Sequence, residues 1–185
     1  METTLTSNKS LLAWLDEKVE LTKPSKIVWI DGSKEQIDAL KAEAVETGEM
    51  IKLNEELLPD CYLHRTAEND VARVEDRTLI CSKKEEDAGP TNHWKDPVEM
   101  KGIMTELYDG CMVGRTMYVM PFCMGHLDAD DPKFGVEVSD SAYVALSMRI
   151  MTRMGAETLA AMEASGADFV PCLHSVGMPL SDGQS

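Results

Sequence analysis

Gly110-Cys111-Met112-Val113-Gly114-Arg115-Thr116-Met117-Tyr118-Val119-Met120-Pro121-Phe122 is the stretch that decides the fold class. Its second half, Thr116 to Phe122, is a short apolar run rich in β-forming residues, opened by Gly114 and closed by Pro121. A run of that length predicts a strand buried on both faces. Such strands sit inside a sheet with helices on both sides. The spacing that follows predicts a helix over Ser139–Met154, with Ser139 or Asp140 as its cap, Arg149 and Arg153 four apart on one side, and Gly155 as the glycine past its end. Strand, irregular loop and helix in that order point to an α/β fold with a mixed sheet and helices packed on it.

Working back toward the start, Thr6–Leu21 carries apolar residues at helical spacing, with Ser7 or Asn8 available as N-cap. Ile27–Ile30 is a β-prone run ending in the turn signal Asp31-Gly32. Ser33 and Gln36 form a capping-box pattern ahead of a helix to about Val45, which Gly48 closes. Weak strand signals follow at Ile51–Leu53 and Leu63-His64, and a firmer one at Leu79–Cys81. Asp96-Pro97 opens a helix to Leu107. Toward the other end, Val136–Val138 alternates as a strand, Ala156–Ala164 is a short helix, and Phe169–Gly177 reads as strand then turn. Residues 1–185 are expected to form one domain, its polar end Ser181–Ser185 resembling a connecting loop.

The chain has a net charge of −15, with 43% apolar and 28% charged residues. That composition fits a soluble globular protein. The acidity excludes nucleic acid and anionic membrane as partners, since both attract basic surfaces. No apolar run reaches the roughly 20 residues that a bilayer requires, and the first residues show neither a basic nor an apolar leader region. Five cysteines without a Cys-x-x-Cys pair read as reduced thiols in a cytoplasmic protein.

Against this acidic background, arginines at close spacing are informative. Arg73 and Arg77 share a side in either a strand or a helix. A guanidinium fork there could hold a carboxylate. The alternative is a pair of surface arginines balanced by Glu75 and Asp76, which spacing alone favours. The four histidines are scattered and make no zinc spacing. Asp128, Asp130 and Asp131 lack the glycine and glutamate of a calcium loop. Met148, Met151 and Met154 have the spacing of a copper site, but in a chain with 13 methionines they read as gap-filling core residues. No nucleophile elbow and no phosphate-binding glycine loop is present.

Four segments carry a resemblance: Asp70–Thr78, Gly110–Phe122, Asp140–Tyr143 with Ser147–Gly155, and Cys172–Gly177. In this order they are similar to the amino-terminal part of the GTP-dependent phosphoenolpyruvate carboxykinases, over most of the chain from Ile27. The resemblance implies a reaction of gluconeogenesis, oxaloacetate and GTP giving phosphoenolpyruvate, carbon dioxide and GDP. It implies GTP and manganese, with magnesium, as cofactors whose sites lie beyond this chain, and none bound by this chain alone. It implies that Arg73, in the Val-Ala-Arg motif, anchors a carboxylate of the small acid substrate. Glu75, two residues on and on the same side of a strand, and then Arg77, are further candidates. The expected partners are oxaloacetate or phosphoenolpyruvate and a carboxy-terminal nucleotide-binding domain. Two departures stand out: His126 where the family commonly has proline, and Asp128–Asp131 in place of small residues. A second reading is a stand-alone, non-catalytic module of the same ancestry that binds a small organic acid or regulates an intact enzyme.

Overall fold

The computed structural model describes residues 5–66 and 74–178. Helix α1 (Lys9–Thr22) starts at Asn8, whose Oδ1 accepts from the backbone N–H groups of Ser10 and Leu11. Strand β1 (Lys26–Trp29) leads into α2 (Lys34–Glu46), capped by Ser33. Gln36 does not complete the capping box. Its amide bridges backward instead, donating to the Trp29 carbonyl at 2.7 Å and accepting from Asp31 N–H at 2.8 Å. The helix is thereby bonded to the strand before it.

A two-stranded ribbon follows, β2 (Ile51–Lys52) with β3 (Tyr62–Leu63). Glu75–Arg77 is a single 3-10 turn, and β4 (Leu79–Ile80) pairs in parallel with β5 (His93–Trp94). Helix α3 (Pro97–Tyr108), capped by Asp96, lies against α1. The main sheet is completed by β6 (Thr116–Met124), β7 (Lys133–Ser139), β8 (Arg153–Met154) and β9 (Val170–Leu173), with α4 (Ala142–Met151) and α5 (Ala156–Ser165) between them.

Strand order is β1-β6-β7-β9, with β8 also on β6. β1/β6 and β7/β9 are parallel; β6/β7 and β6/β8 are antiparallel. The sheet is mixed, as expected. β6 is interior and buried on both faces. On one side Met117, Val119 and Cys123 join Leu11, Leu15, Leu159 and Met162 of α1 and α5. On the other, Tyr118 and Met120 join Leu40, Ala44, Ala145 and Leu146 of α2 and α4. Burial, with Glu43 and Glu49 near the ring, pushes the Tyr118 hydroxyl up to about 12.

Pro121 does not end the strand. β1 covers Thr116–Val119 and β8 covers Phe122–Cys123, both along the edge of β6 away from β7. Pro121 falls in the gap between them, so its missing N–H leaves no ladder bond unmade. Its carbonyl, on that same edge, accepts from Gly155 N–H at 3.0 Å.

Two expectations are corrected here. The helix after β7 runs Ala142–Met151, not to Met154, and Ser141 caps it through its hydroxyl. Thr152 turns extended and bonds back to the Met148 carbonyl, and Arg153-Met154 leave to fill the open edge of β6. Met148, Met151 and Met154 therefore form no single helical stripe. Gly155 is likewise not the glycine past that helix. It opens α5 with φ 113° and ψ −157°, a conformation restricted to glycine. A Cβ there would lie 2.2 Å from the Asp31 carbonyl oxygen. Gly155→Ala should therefore cost more than the roughly 1–3 kcal/mol of backbone strain alone, read as a lowered midpoint in thermal unfolding. An unchanged midpoint would mean that the β1 and β8 turns are not held in contact.

Candidate functional site

The Arg73 expectation falls outside the described residues. The residues that follow it are described. Val74 Cα leads into the 3-10 turn, where Glu75, Asp76 and Arg77 are all exposed. A 3-10 turn does not alternate, so Glu75 does not hold the position on a strand that the sequence suggested. Among the described residues Arg77 makes no ion pair with Glu75 or Asp76, and the turn is held by Thr78 Oγ1 donating to the Val74 carbonyl at 2.6 Å. For Arg77, the balanced-pair reading is not what the structure contains, and its Arg73 part lies outside the described residues.

The polar centre of the domain lies elsewhere, at the end of the sheet where β6 begins and β7 and β9 finish. Asp140, the residue after β7, has a side chain with 0% exposure. Its Oδ2 accepts from Arg115 Nη1 at 2.7 Å and from Ser175 Oγ at 2.9 Å, and its Oδ1 accepts from Val176 N–H at 2.9 Å. Arg115 Nη1 also donates to the carbonyls of Gly177, at 2.6 Å, and Cys111, at 3.2 Å. A buried carboxylate is tolerated only when paired and fully hydrogen-bonded, and this one is. Both of its oxygens are engaged, so the arrangement holds chain rather than moving protons. It clamps Ser175–Gly177 onto the loop before β6.

Sequence reading assigned Asp140 to helix capping and gave Arg115 and Ser175 no role. The signal available was an arginine beside a glycine turn and an aspartate at a strand end. Nothing in their spacing, 25 and 35 residues apart, shows that the sheet brings them together.

Beside the clamp, β7 and β9 present Glu137 opposite Cys172, and Ser139 Oγ lies 2.9 Å from His174 Nδ1. Burial raises the Glu137 carboxyl above its ordinary value of 4.5, an effect opposed by the His174 charge. Burial and the Glu137 charge push the Cys172 thiol up. Such a thiol is a poor nucleophile, because the reactive thiolate is disfavoured. On the far side of the ribbon, Glu49 Oε1 accepts from Ser141 Oγ and Tyr143 N–H, while the His64 ring stacks on Tyr143 at 3.9 Å. These contacts secure the start of α4.

A hollow of about 880 Å³ between α1 and α3 is floored by Trp14, Leu21, Met104, Tyr108 and Leu173. Its rim carries Glu17, Glu20, Glu106 and Asp109 against three lysines, and no arginine. That lining does not suit an anionic acid. Among the described residues no three His, Cys, Asp or Glu side chains converge. They do not fit a manganese site of their own. The five cysteines are free thiols, and no helix among the described residues is long and apolar enough to cross a membrane.

Comparison with known proteins gives a consistent result. Residues 13–185 match the family described as phosphoenolpyruvate carboxykinase N-terminal domain. A Corynebacterium glutamicum (strain R) protein described as phosphoenolpyruvate carboxykinase [GTP] is 56% identical over 179 residues, covering 97% of this chain and 29% of that protein. A protein of the same description from Arthrobacter sp. (strain FB24) is 52% identical over 185 residues, covering 100% of this chain and 30% of that protein. The chain thus spans less than a third of the length of these relatives.

Two outcomes follow from the geometry. Asp140→Ala leaves Arg115 without its carboxylate and should cost about 3 kcal/mol, the low end for a broken buried pair because Arg115 keeps some water. For a chain of this length that is roughly 6–12 °C in the unfolding midpoint; a shift under a degree would refute the clamp. Glu137→Gln tests the raised carboxyl. A raised folded-state value favours folding below the unfolded value near 4.5, and that contribution is lost as pH rises through the raised value. The variant should melt higher than the parent at pH 7 and level with it near pH 4. Equal melting at both would remove the burial effect.

Proposed function

The chain belongs to the phosphoenolpyruvate carboxykinase N-terminal domain family, and on that premise we propose that it forms the acid-substrate side of a GTP-dependent phosphoenolpyruvate carboxykinase. In this reading the whole enzyme is a lyase that takes oxaloacetate and GTP to phosphoenolpyruvate, carbon dioxide and GDP, a step of gluconeogenesis. Loss of carbon dioxide leaves an enolate, and transfer of the terminal phosphoryl group of GTP to its oxygen gives the product. The observation that carries the reading is an uninterrupted family match from residue 13 to 185, which spans the Val71-Ala72-Arg73 motif and the clamp residues alike.

Arg73 is the residue proposed to touch substrate. A planar guanidinium fits a carboxylate with two parallel charge-assisted hydrogen bonds, which orients the acid as well as holding it. Arg77 and Glu75 on the adjoining exposed turn are secondary candidates for the same ligand. Manganese and magnesium supply charge stabilisation to phosphoryl transfer when bound. GTP and these ions are assigned to the carboxy-terminal part, which is the proposed partner of this domain. The cytoplasm is the proposed setting, where free thiols stay reduced. The acidic field of the chain disfavours nucleic acid and anionic lipid.

The clamp has a place in this scheme without touching substrate. Ser175–Gly177 follow β9, and the buried Asp140 carboxylate fixes where that segment leaves the sheet. Positioning is the main resource of phosphoryl-transfer enzymes, so a segment held in place by a buried carboxylate supports alignment of the groups the domain presents.

The test is steady-state kinetics of the full-length polypeptide that contains this sequence. It should form phosphoenolpyruvate from oxaloacetate only with a guanine nucleotide, whereas residues 1–185 alone should not. Arg73→Ala should lower kcat/KM for oxaloacetate by about 1.5–3 kcal/mol, the value of a hydrogen bond to a charged group, or roughly ten- to a hundredfold. The KM for GTP should not move. Unchanged kinetics toward oxaloacetate would remove Arg73 from the site, and turnover by residues 1–185 alone would overturn the division of labour.

A further inference from the structure

α4 is apolar around most of its circumference. Ala142, Ala145, Leu146 and Met148 are buried against α2 and the sheet, yet Ile150 and Met151 in the last turn are 86% and 65% exposed. A helix of this kind belongs between two layers, and among the described residues only one covers it. The apolar pair is flanked by two exposed arginines, Arg149 at the end of α4 and Arg153 on β8. Neither makes an ion pair among the described residues. The neighbouring cations are matched: Lys34 with Asp38 and Lys41 with Asp60. Arg149 adds to these four a third cation around a hollow of about 350 Å³ beside α2, with no carboxylate of its own. In a chain with 33 acidic and 18 basic residues, two unmatched guanidinium groups beside exposed isoleucine and methionine mark a surface that receives carboxylates.

We propose that this patch, Arg149, Ile150, Met151 and Arg153, is the docking surface for the remainder of the same polypeptide, through an acidic-rimmed apolar segment. The inference rests on the carboxykinase reading and names the surface that the partner part of the polypeptide uses. Two observations select that occupant. The relatives have about 70% of their length outside the part this chain matches, which is ample chain to cover the face. A second copy is disfavoured because two bodies of charge −15 repel as they approach. In the docked state Ile150 and Met151 supply the apolar area removed from water. The arginines fix register by bidentate pairing, with more effect on specificity than on strength.

The experiment uses the full-length polypeptide with Ile150→p-benzoylphenylalanine as a photocross-linker. The expected product has monomer mass, with the cross-linked peptide mapping beyond residue 185. Combining it with Arg149→Glu and Arg153→Glu should cut that yield at least tenfold, while Lys9→Glu, a charge reversal at the start of α1, should leave it unchanged. A cross-link of dimer mass would overturn the proposal in favour of self-association. So would absence of any cross-link, or a native polypeptide that ends at Ser185. Carboxykinase turnover measured on the same preparation keeps the two readings apart. Turnover without the internal cross-link refutes the docking surface alone; the internal cross-link without turnover refutes the carboxykinase reading alone.

Discussion

The domain depends on one constraint: Thr116–Met124 must lose both of its faces from water. Met117, Val119 and Cys123 point one way and Tyr118 and Met120 the other, and all are buried. A strand of that kind needs a strand on each edge and a layer on each face. β7 supplies one edge over seven residue pairs. The other edge is shared by β1 and β8, with Pro121 at the join. The helices then divide by face, α1 and α5 to one side and α2 and α4 to the other. The glycines at Gly32 and Gly155 are where the β1 and β8 turns meet, each backbone occupying the place where a Cβ on the other would stand.

Charge is handled by a second device. Asp140 is fully covered, and its burial is tolerable because an arginine, a hydroxyl and a backbone N–H complete its bonding. The same three donors come from two separated segments, the loop before β6 and the stretch after β9. One carboxylate therefore couples the entry of the central strand to the last described turn of the chain. Elsewhere the ion pairs are exposed, as at Lys23–Asp109 and Lys95–Glu99, and contribute little to stability.

The described residues divide into a sheet and the polar segments at its end. The described residues form a mixed sheet, a clamped segment after β9 and a short exposed turn carrying Glu75 and Arg77. The relatives that this chain matches are more than three times as long.

Local pattern by itself determined the elements whose physics is local. Asn8, Ser33 and Asp96 were legible as caps because capping is a bond within four residues. Thr116–Phe122 was legible as a two-faced strand because burial on both sides removes alternation. Recognition of the family came from motifs that survive as strings, Val71-Ala72-Arg73 and Cys172–Gly177 among them. What only the tertiary structure decided was set by partners far away in sequence. Met154 left its helix because β6 had an open edge at Phe122 and Cys123. Gly155 took a glycine-only conformation because the Asp31 carbonyl stands where its Cβ would be. Asp140 gave up capping to Ser141 because Arg115, 25 residues earlier, needed a buried counter-charge. None of these pairings has a signature in spacing, since the energy that selects them, desolvation of an edge, a contact or a charge, exists only once the sheet has formed.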